Sequence, residues 1–535
     1  MSAMQTRTFV SYPELVRHAA SLRPDGAALI VDEERRDYRS LLEGGERWAH
    51  VIAGLGLASG DRLGVLLPNS VAQVEILLGA SMLGVVVVPI NTRFKAYEIA
   101  HVVSDSQMAA LVACNGIAGV VDYPVLLDEA LPGLKSSANP RRLALASAPD
   151  LRTIVTLGDA APGLVPHGEL TAAARPLPPA PDPEHPLLLM YTSGTTARPK
   201  GCIMSHRSMT SSAQGLAGRY QIGPDDVWWC PLPMFHVGGV LFMTVMFAAA
   251  GLYVGMSHFT PEATFDLMEQ TRPTVFYPLF PTIALAMTDH PRFASVKQDS
   301  IRYVFSVATP EIQRKIQAAF PRAALFSAFG MTETCGAVTF NTLDDTLEQR
   351  LTTCGSTLPG WQVRIVDPDT REELPLGARG EIAVRGDGLF SGYFGDPELT
   401  ERQFLPDGFF LSGDIGALDE NGLLRFFGRL KDQIKVGGEN VSALEVESFL
   451  ATHPAVKLAQ VVGLADGKYG EVCVAFVEPK AGASVTEAEL QAFCAGKIAR
   501  FKIPRHVRVV GEWPMSATKI LKYRLRERIA AELAG

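Results

Sequence analysis

Cysteine is scarce in this sequence and shows no pairing pattern. Seven cysteines are spread over 535 residues, and no two of them form a C-x-x-C pair. A dispersed set of this kind argues against a disulfide framework and predicts reduced thiols in a cytoplasmic protein. The first twenty residues also lack an uninterrupted apolar segment, so we expect no secretory signal.

An excess of positive charge is missing as well. The sequence has 49 Lys and Arg against 57 Asp and Glu, which gives a formal net charge of −8. Because nonspecific nucleic-acid binding requires basic residues that neutralise phosphates, this balance argues against a nucleic-acid partner. Residues 238–256 carry no charge, but Gly251 and Gly255 interrupt them. We therefore expect a buried helix over 240–250 and a buried strand after it, and no membrane span.

The length and the pattern of apolar residues indicate the fold class. A chain of 535 residues exceeds what one core usually supports, so two or more domains are expected. Helical periodicity over 12–22, 41–55 and 276–287 alternates with short apolar runs such as 62–67, which predicts α/β structure with parallel-rich sheets covered by helices. After about residue 434 short strands alternate with helices, including one predicted over 487–499, which is typical of a smaller α+β unit.

Residues 191–201 form the most informative segment of the chain. Short apolar runs precede and follow it, so the sequence predicts a loop between two buried strands. Glycine lets the loop backbone approach a ligand closely, and successive N–H groups, hydroxyls and Lys200 favour a polyphosphate. The alternative is a surface hairpin, in which Gly, Ser, Thr and Pro are ordinary turn residues. The polar positions of this loop are Thr192, Ser193, Gly194, Thr195, Thr196 and Lys200.

This loop resembles the signature loop of the adenylate-forming superfamily, which includes acyl-CoA synthetases, peptide-synthetase adenylation domains and luciferases. Further segments resemble that superfamily in the expected order along nearly the whole chain: 327–334, 409–416, 428–440 and 514–522. The sequence departs from the usual pattern at Ala197, Phe329 and Thr518, where Gly, Tyr and Gly are common. The resemblance implies a large α/β N-terminal domain with a small β region over 1–428, a hinge over 429–433 and a mobile α+β domain over 434–535.

The resemblance also implies the site residues. Mg²⁺ is held by one or two carboxylates plus nucleotide phosphates, which suits Glu333 beside a phosphate loop. Catalytic roles fall on Lys519, Thr192, Lys200, Glu333 and His236, with Glu333 as the metal ligand. The ATP and coenzyme A positions are Thr192, Ser193, Gly194, Thr195, Thr196, Lys200, Ala308, Thr309, Ala328, Phe329, Gly330, Thr332, Asp414, Arg429, Lys435, Gly437 and Gly438. The acid pocket would contain Phe235, His236, Gly238, Phe280 and Met331, and Lys431 would be the hinge residue.

Each of these residues has a plainer interpretation when it is considered alone. Glu333 would be a solvated loop carboxylate, His236 a structural histidine and Lys519 one member of a basic helix face. Their joint order along the chain favours an AMP-forming acyl-CoA synthetase with ATP, Mg²⁺ and coenzyme A. The alternatives are an acyl-AMP ligase that loads a carrier protein and a nucleotide-binding homologue without activity.

The segment 230–239 bears on the acid that is activated. Amino-acid-activating members of the superfamily generally hold the substrate ammonium with an Asp in this region, and the segment contains none. Burying an unpaired ammonium would be costly, so an acid without an α-amino group is favoured. The sequence leaves open which acid it is and whether the chain is a monomer or a homodimer.

Overall fold

The computed structural model describes residues 11–117, 120–173, 176–192, 199–436, 439–515 and 519–534. Helices occur along the whole described chain. None of those described is long and apolar enough to cross a membrane. The α-helices in these ranges are α1 Tyr12–Leu22, α2 Tyr38–Gly54, α3 Val71–Met82, α4 Ala96–Asp105, α5 Tyr123–Ala130, α6 His206–Arg219, α7 Val237–Ala248, α8 Pro261–Thr271, α9 Pro281–Thr288, α10 Pro310–Ala319, α11 Leu347–Thr352, α12 Pro397–Arg402, α13 Ala443–Ala451, α14 Glu487–Cys494 and α15 Lys522–Ala534.

The strands are mostly short, as is usual in large mixed folds. In chain order they are β1 Ala27–Val31, β2 Glu34–Asp37, β3 Arg62–Leu66, β4 Val86–Pro89, β5 Ala110–Ala113, β6 Gly116–Ile117, β7 Val121–Asp122, β8 Thr153–Thr156, β9 Val165–Pro166, β10 Pro186–Thr192, β11 Lys200–Ser205, β12 Val227–Trp229, β13 Leu252–Gly255, β14 Val275–Leu279, β15 Tyr303–Ser306, β16 Ala324–Phe326, β17 Ala328–Phe329, β18 Thr339–Phe340, β19 Ser356–Thr357, β20 Trp361–Val366, β21 Gly380–Gly386, β22 Gly392–Tyr393, β23 Phe410–Leu418, β24 Leu424–Arg429, β25 Gln433–Val436, β26 Glu439–Ser442, β27 Val456–Asp466, β28 Gly470–Pro479 and β29 His506–Val509.

Two large sheets organise the first part of the chain. One has the order β16-β15-β14-β12-β13-β1-β2 and the other β22-β11-β10-β4-β3-β5-β8-β9. Pairing is parallel except at one end of each sheet, where β2 pairs with β1 and where β11 pairs with both β10 and β22. Helix α3 is mostly apolar and is buried along nearly its whole length, as expected of a helix enclosed in a core, and its one carboxylate, Glu75, pairs with Arg36 at 2.7 Å. The predicted class, parallel-rich sheets covered by helices, is confirmed.

Two smaller sheets follow. Strands β20, β21, β23 and β24 form an antiparallel sheet whose last residue is Arg429. A 3₁₀ helix, Leu430–Asp432, then leads into a sheet of order β26-β25-β28-β27, to which β29 adds in parallel beside β28. This last sheet has an apolar core of its own under α13 and α14. The predicted change to a smaller α+β unit therefore agrees with the observed sheets.

Most predicted elements are confirmed, and two predicted helices are wrong in part. Within the uncharged residues 238–256, the predicted buried helix is α7 and the predicted buried strand is β13. The first third of the predicted helix over 276–287 belongs to strand β14, because its residues pair with β12 on one side and β15 on the other. Pro281 then begins α9. The helix predicted over 487–499 ends at Cys494, shortly before Gly496 takes a left-handed φ of 73° that continues no helix.

Candidate active site

The predicted phosphate loop joins two strands of one sheet. Strands β10 and β11 are antiparallel, with Thr192 opposite Lys200 at their open ends. The loop residues Ser193, Gly194, Thr195 and Thr196 lie outside the described residues, but both flanking strands are as predicted. The Lys200 ammonium nitrogen lies 5.6 Å from the centre of the Tyr393 ring. Thr192 and Lys200 therefore lie at the ends of two neighbouring strands of the eight-stranded sheet, and the edge strand β22 pairs with β11.

Glu333 lies in a single 3₁₀ turn, Thr332–Thr334, that follows β17. The turn closes tightly because Cys335 and Gly336 take φ values of 49° and 83°. Glu333 is 8 % exposed, and its Oε1 atom accepts a hydrogen bond of 2.9 Å from the Tyr393 hydroxyl. The turn thus presents one carboxylate, nearly removed from bulk water, beside the strand that carries Lys200.

Asp414 is buried on β23, opposite Arg429 on β24. The Asp414 Oδ1 atom lies 3.3 Å from Arg429 Nε, and in the described part of the chain no hydrogen bond of good geometry reaches it. Burial raises the pKa of Asp414 to about 6; Arg429 and Lys519 oppose that rise, and Glu333 and Glu381 add to it. A buried acceptor with unfilled hydrogen-bonding capacity suits a ligand that carries hydroxyl donors.

Lys519 comes to the same place from the other end of the chain. An isolated bridge between Met515 and Ile520 closes the loop that carries it, and the Lys519 ammonium lies 6.0 Å from the centre of the Phe280 ring. Desolvation by burial and the charge of Arg429 lower the pKa of Lys519, whereas the charges of Asp414 and Glu333 raise it. The charges of Lys519, Asp414 and Glu333 therefore act on one another, and we call the region around these residues and Lys200 the cleft.

The predicted acid pocket lies on the side of the cleft formed by α7 and α9. His236 is the residue before α7, its ring packs against Phe235, and His236 Nε2 has no hydrogen-bond partner among the described residues. Burial, together with the charges of Lys519 and Arg93, lowers the pKa of His236 to about 4, so the imidazole is neutral at physiological pH. Phe280 precedes α9 in the same way. The pocket wall is thus mainly apolar, with one neutral polar ring.

Other predicted positions are distributed around this cleft. Gly238 and Gly330 occupy crowded backbone positions, since a Cβ at Gly330 would lie 2.4 Å from the Gly336 carbonyl oxygen. Thr309 Oγ1 is buried and has no described partner, at the end of the segment that carries Ala308. Phe329 is 6 % exposed and packs against Phe426, so its stacking on a base stays a prediction. The pocket and nucleotide positions Ala328, Met331 and Thr332 lie in or beside β17 and the Glu333 turn.

Some predicted residues are not joined to this group. Lys435 lies on β25 with its backbone N–H bound to Glu471 Oε2, and its side chain is exposed. Gly437 and Gly438 lie outside the described residues. Lys431 is close enough to Arg429, Lys200 and Asp414 for their charges to act on its pKa, which desolvation lowers. The thiol-binding positions therefore stay predictions, whereas the predicted hinge residue borders the cleft.

Sequence reasoning missed two residues that the cleft contains. Tyr393 contacts both Glu333 and Lys200, and the charge of Arg93 acts on His236. Tyr393 reaches the site because β22 pairs with β11, a contact between segments 190 residues apart. No local pattern signals such a pairing. Arg93 follows strand β4 in a stretch of ordinary loop composition, which gave no signal either.

The donor set fits a divalent cation that arrives with phosphates. In the described ranges no group of three or more His, Cys, Asp or Glu could hold a metal by itself. Mg²⁺ usually keeps several waters and takes one or two protein carboxylates plus substrate phosphates, which Glu333 beside Lys200 can satisfy. Together with the Asp414 acceptor and the Lys519 ammonium, the cleft can bind a polyphosphate nucleotide and stabilise negative charge that develops next to it.

The substitution Asp414→Asn should stabilise the unliganded protein at neutral pH. The carboxyl has an ordinary pKa of 3.8 and a folded-state pKa of about 6, so ionising it costs folding free energy as the pH rises from 4 to 6. We expect a gain of about 1–3 kcal/mol in the free energy of unfolding at pH 7 and almost none at pH 4. Urea unfolding at both pH values measures it. The exposed control Asp344→Asn should change little, and an equal gain at both pH values would contradict the explanation by charge burial.

Comparison with known proteins agrees with this chemistry. The family model for AMP-binding enzymes matches residues 16–394, and the model for the AMP-binding enzyme C-terminal domain matches 445–519. YngI of Bacillus subtilis, provisionally named an acyl-CoA synthetase, is 31 % identical over 530 residues, 96 % of each chain. The mitochondrial medium-chain acyl-CoA ligase ACSF2 of Rattus norvegicus is 31 % identical over 538 residues, 95 % of this chain and 86 % of its own.

Solved structures show the same similarity. ATP-bound MatB from Rhodopseudomonas palustris superposes with a TM-score of 0.83 at 28 % identity, covering 97 % of this chain and 99 % of its own. A fatty acyl CoA synthetase of Mycobacterium tuberculosis superposes with a TM-score of 0.73 at 28 % identity, covering 98 % and 99 %. The similarity thus extends over both the large sheets and the C-terminal sheet.

Proposed function

The chain belongs to the family of AMP-binding enzymes, and we propose that it is an AMP-forming acyl-CoA ligase that activates a carboxylic acid without an α-amino group. The observation that supports this proposal is a group of interacting charges: Tyr393 contacts both Lys200 and Glu333, and the charges of Glu333 and Lys519 act on the pKa of Asp414. These are the charges that a nucleoside triphosphate and an attacking carboxylate require. The separate matches to both parts of the chain give further support.

In the first half-reaction a carboxylate oxygen of the acid attacks the α-phosphorus of ATP. The bond from that phosphorus to the bridging oxygen breaks, and pyrophosphate leaves with the electron pair. Two anionic groups must approach each other, so fixed positive charge lowers the barrier. Lys200 lies beside the phosphate loop and Lys519 faces the reacting end, while Asp414 accepts hydrogen bonds from the ribose hydroxyls. Mg²⁺ bound at Glu333 would supply further neutralisation of phosphate charge.

In the second half-reaction the sulfur of coenzyme A, after loss of its proton, attacks the acyl carbon and AMP leaves. We assign the thiol path to Lys435, Gly437 and Gly438, which requires the C-terminal unit to turn. Two ion pairs lie on either side of the proposed turning point: Arg429 Nε is 3.3 Å from Asp414 Oδ1, and Asp432 is 2.8 Å from Arg526 on α15. The proposed hinge over 429–433 contains residues 430 and 431 between these two ion pairs, and it joins a domain over 1–428 to one over 434–535.

The acid is proposed to be uncharged apart from its carboxylate. The predicted acid pocket contains Phe235, Phe280 and the neutral imidazole of His236. Segment 230–239 contains no acidic residue that could pair with a substrate ammonium. Medium-chain fatty acids are the first acids to test, because the rat relative is named for them. All seven cysteines are free thiols, which supports the expected cytoplasmic location. Whether the chain forms a homodimer stays open.

Carboxylate-dependent exchange of pyrophosphate into ATP tests this function. The panel should contain fatty acids of increasing length, benzoate and a matched α-amino acid, and thioester formation should then be measured with free coenzyme A and with a loaded carrier protein. We expect exchange with an acid that lacks the amino group and transfer to coenzyme A. Transfer to the carrier alone would favour an acyl-AMP ligase. ATP binding without exchange for any acid would favour an inactive nucleotide-binding homologue.

A further inference from the structure

Tyr393 touches both charged groups at the phosphate end of the cleft. Its hydroxyl donates a hydrogen bond of 2.9 Å to Glu333 Oε1, and the centre of its ring lies 5.6 Å from Lys200 Nζ. These two contacts come from opposite parts of one side chain. The Glu333 carboxylate and the Lys200 ammonium therefore both contact the same rigid side chain.

The backbone around Tyr393 is fixed to both partners independently. Strand β22 pairs with β11, and the N–H of Phe394 donates to the Gly201 carbonyl next to Lys200 at 2.8 Å. The N–H of Phe390 donates to the Glu333 carbonyl, also at 2.8 Å. The Tyr393 N–H is bound to Thr400 Oγ1 at 2.9 Å, which ties the strand to α12. Residues 390–394 are thus a brace between the phosphate-loop strand and the Glu333 turn.

We propose that Tyr393 is a positioning residue of the adenylation site, which orients the Glu333 carboxylate toward the bound cation and supports the Lys200 ammonium. This inference rests on the proposed function. The hydroxyl uses one lone pair of Oε1, so Oε2 keeps both of its lone pairs for a cation. Residues that orient a metal ligand by hydrogen bonds are worth about 10- to 100-fold in metal affinity or activity.

Two substitutions separate the two contacts. Tyr393→Phe removes the hydroxyl and keeps the ring, so it should raise the Mg²⁺ concentration for half-maximal exchange about tenfold, with the rate largely recovered at saturating Mg²⁺. Tyr393→Leu also removes the ring face and should weaken ATP binding by a further two- to fivefold, about the effect of one cation–π contact. Tyr469→Phe, on an exposed turn of the C-terminal unit, is the matched control.

The decisive readouts are cation binding and the separation of the half-reactions. Mn²⁺ binding to the full-length protein with ATP, followed by the electron paramagnetic resonance of free Mn²⁺, should weaken about tenfold in Tyr393→Phe. Thioester formation from a supplied acyl-adenylate should stay at the wild-type value, and the melting temperature should fall by no more than a few degrees, as expected for the loss of one hydrogen bond. A wild-type chain without carboxylate-dependent exchange would overturn the proposed function, whereas unchanged Mn²⁺ and Mg²⁺ dependence in an active Tyr393→Phe variant would overturn this inference alone.

Discussion

Replacing Lys519 with alanine should slow formation of the acyl-adenylate by about 100- to 1000-fold, the usual loss for a group that stabilises charge in a transition state. The Lys519 ammonium lies in the cleft with Asp414 and Glu333, whose charges act on its pKa. In the proposed mechanism the C-terminal unit brings this ammonium to the reacting phosphate, whereas Lys200 stays on strand β11 beside the phosphate loop. Transfer of a supplied acyl-adenylate to coenzyme A should change by no more than a few-fold.

Single-turnover rates of the two half-reactions, measured separately, test this expectation. Lys519→Arg keeps the charge with a different shape, so its adenylation rate should lie between the wild-type and alanine values. Lys468→Ala, in the exposed turn between β27 and β28, removes a lysine of the same unit and should leave both rates unchanged. An equal loss in both half-reactions would show that Lys519 does not act specifically in adenylation.

Opposing effects act on the pKa of Lys519, and the net result is a lowered value. Desolvation in the cleft and the charge of Arg429 lower it, while the carboxylates of Asp414 and Glu333 oppose them. The two acidic groups therefore partly offset the effects that lower the pKa of Lys519. Phosphate oxygens of bound ATP would add negative charge and favour the protonated lysine further.

Much of the fold could be predicted from sequence because its strongest signals are local. Helix α1 begins and ends at the predicted residues, with Ser11 and Glu14 in a capping box and an apolar stripe against the core. The strands on both sides of the phosphate loop were also predicted, since each is a short apolar run next to turn residues. Local periodicity therefore carried most of the correct assignments.

The incorrect or missing assignments involve contacts between distant segments. Strand β14 looks helical in isolation and is a strand because β12 and β15 pair with it. Tyr393 has no unusual neighbours in sequence, and its role follows from the pairing of β22 with β11. Long-range pairing is decided by the whole sheet, so a single sequence without an alignment contains little information about it.

Two ion pairs connect the fold to the proposed movement. Arg429 belongs with the large unit through Asp414, and Asp432 belongs with the C-terminal unit through Arg526. The turn between them contains two residues, and one of them, Lys431, also borders the cleft. A rotation there would withdraw Lys519 from the nucleotide, because Lys519 lies beyond the proposed hinge. The positive charge of the cleft would then fall once pyrophosphate has left.

Glu333→Gln should reduce adenylation by about 100-fold or more at any Mg²⁺ concentration, because a metal that neutralises phosphate charge contributes several kcal/mol. The amide keeps the shape of the side chain and can still accept the hydrogen bond from Tyr393. What it loses is the negative charge that a hard cation requires. This distinguishes Glu333→Gln from Tyr393→Phe, whose defect excess Mg²⁺ should largely correct.

The same substitution should also alter the titration of Asp414. The Glu333 charge is one of the groups that raise the Asp414 pKa to about 6, so its removal should move that pKa downward. Two-dimensional NMR of the labelled carboxyl, or the pH dependence of unliganded stability, would detect the shift. Glu420→Gln, at the exposed tip of the β23–β24 hairpin, is the control and should leave both adenylation and the Asp414 pKa unchanged. Activity of Glu333→Gln that excess Mg²⁺ restores would mean that another group binds the cation.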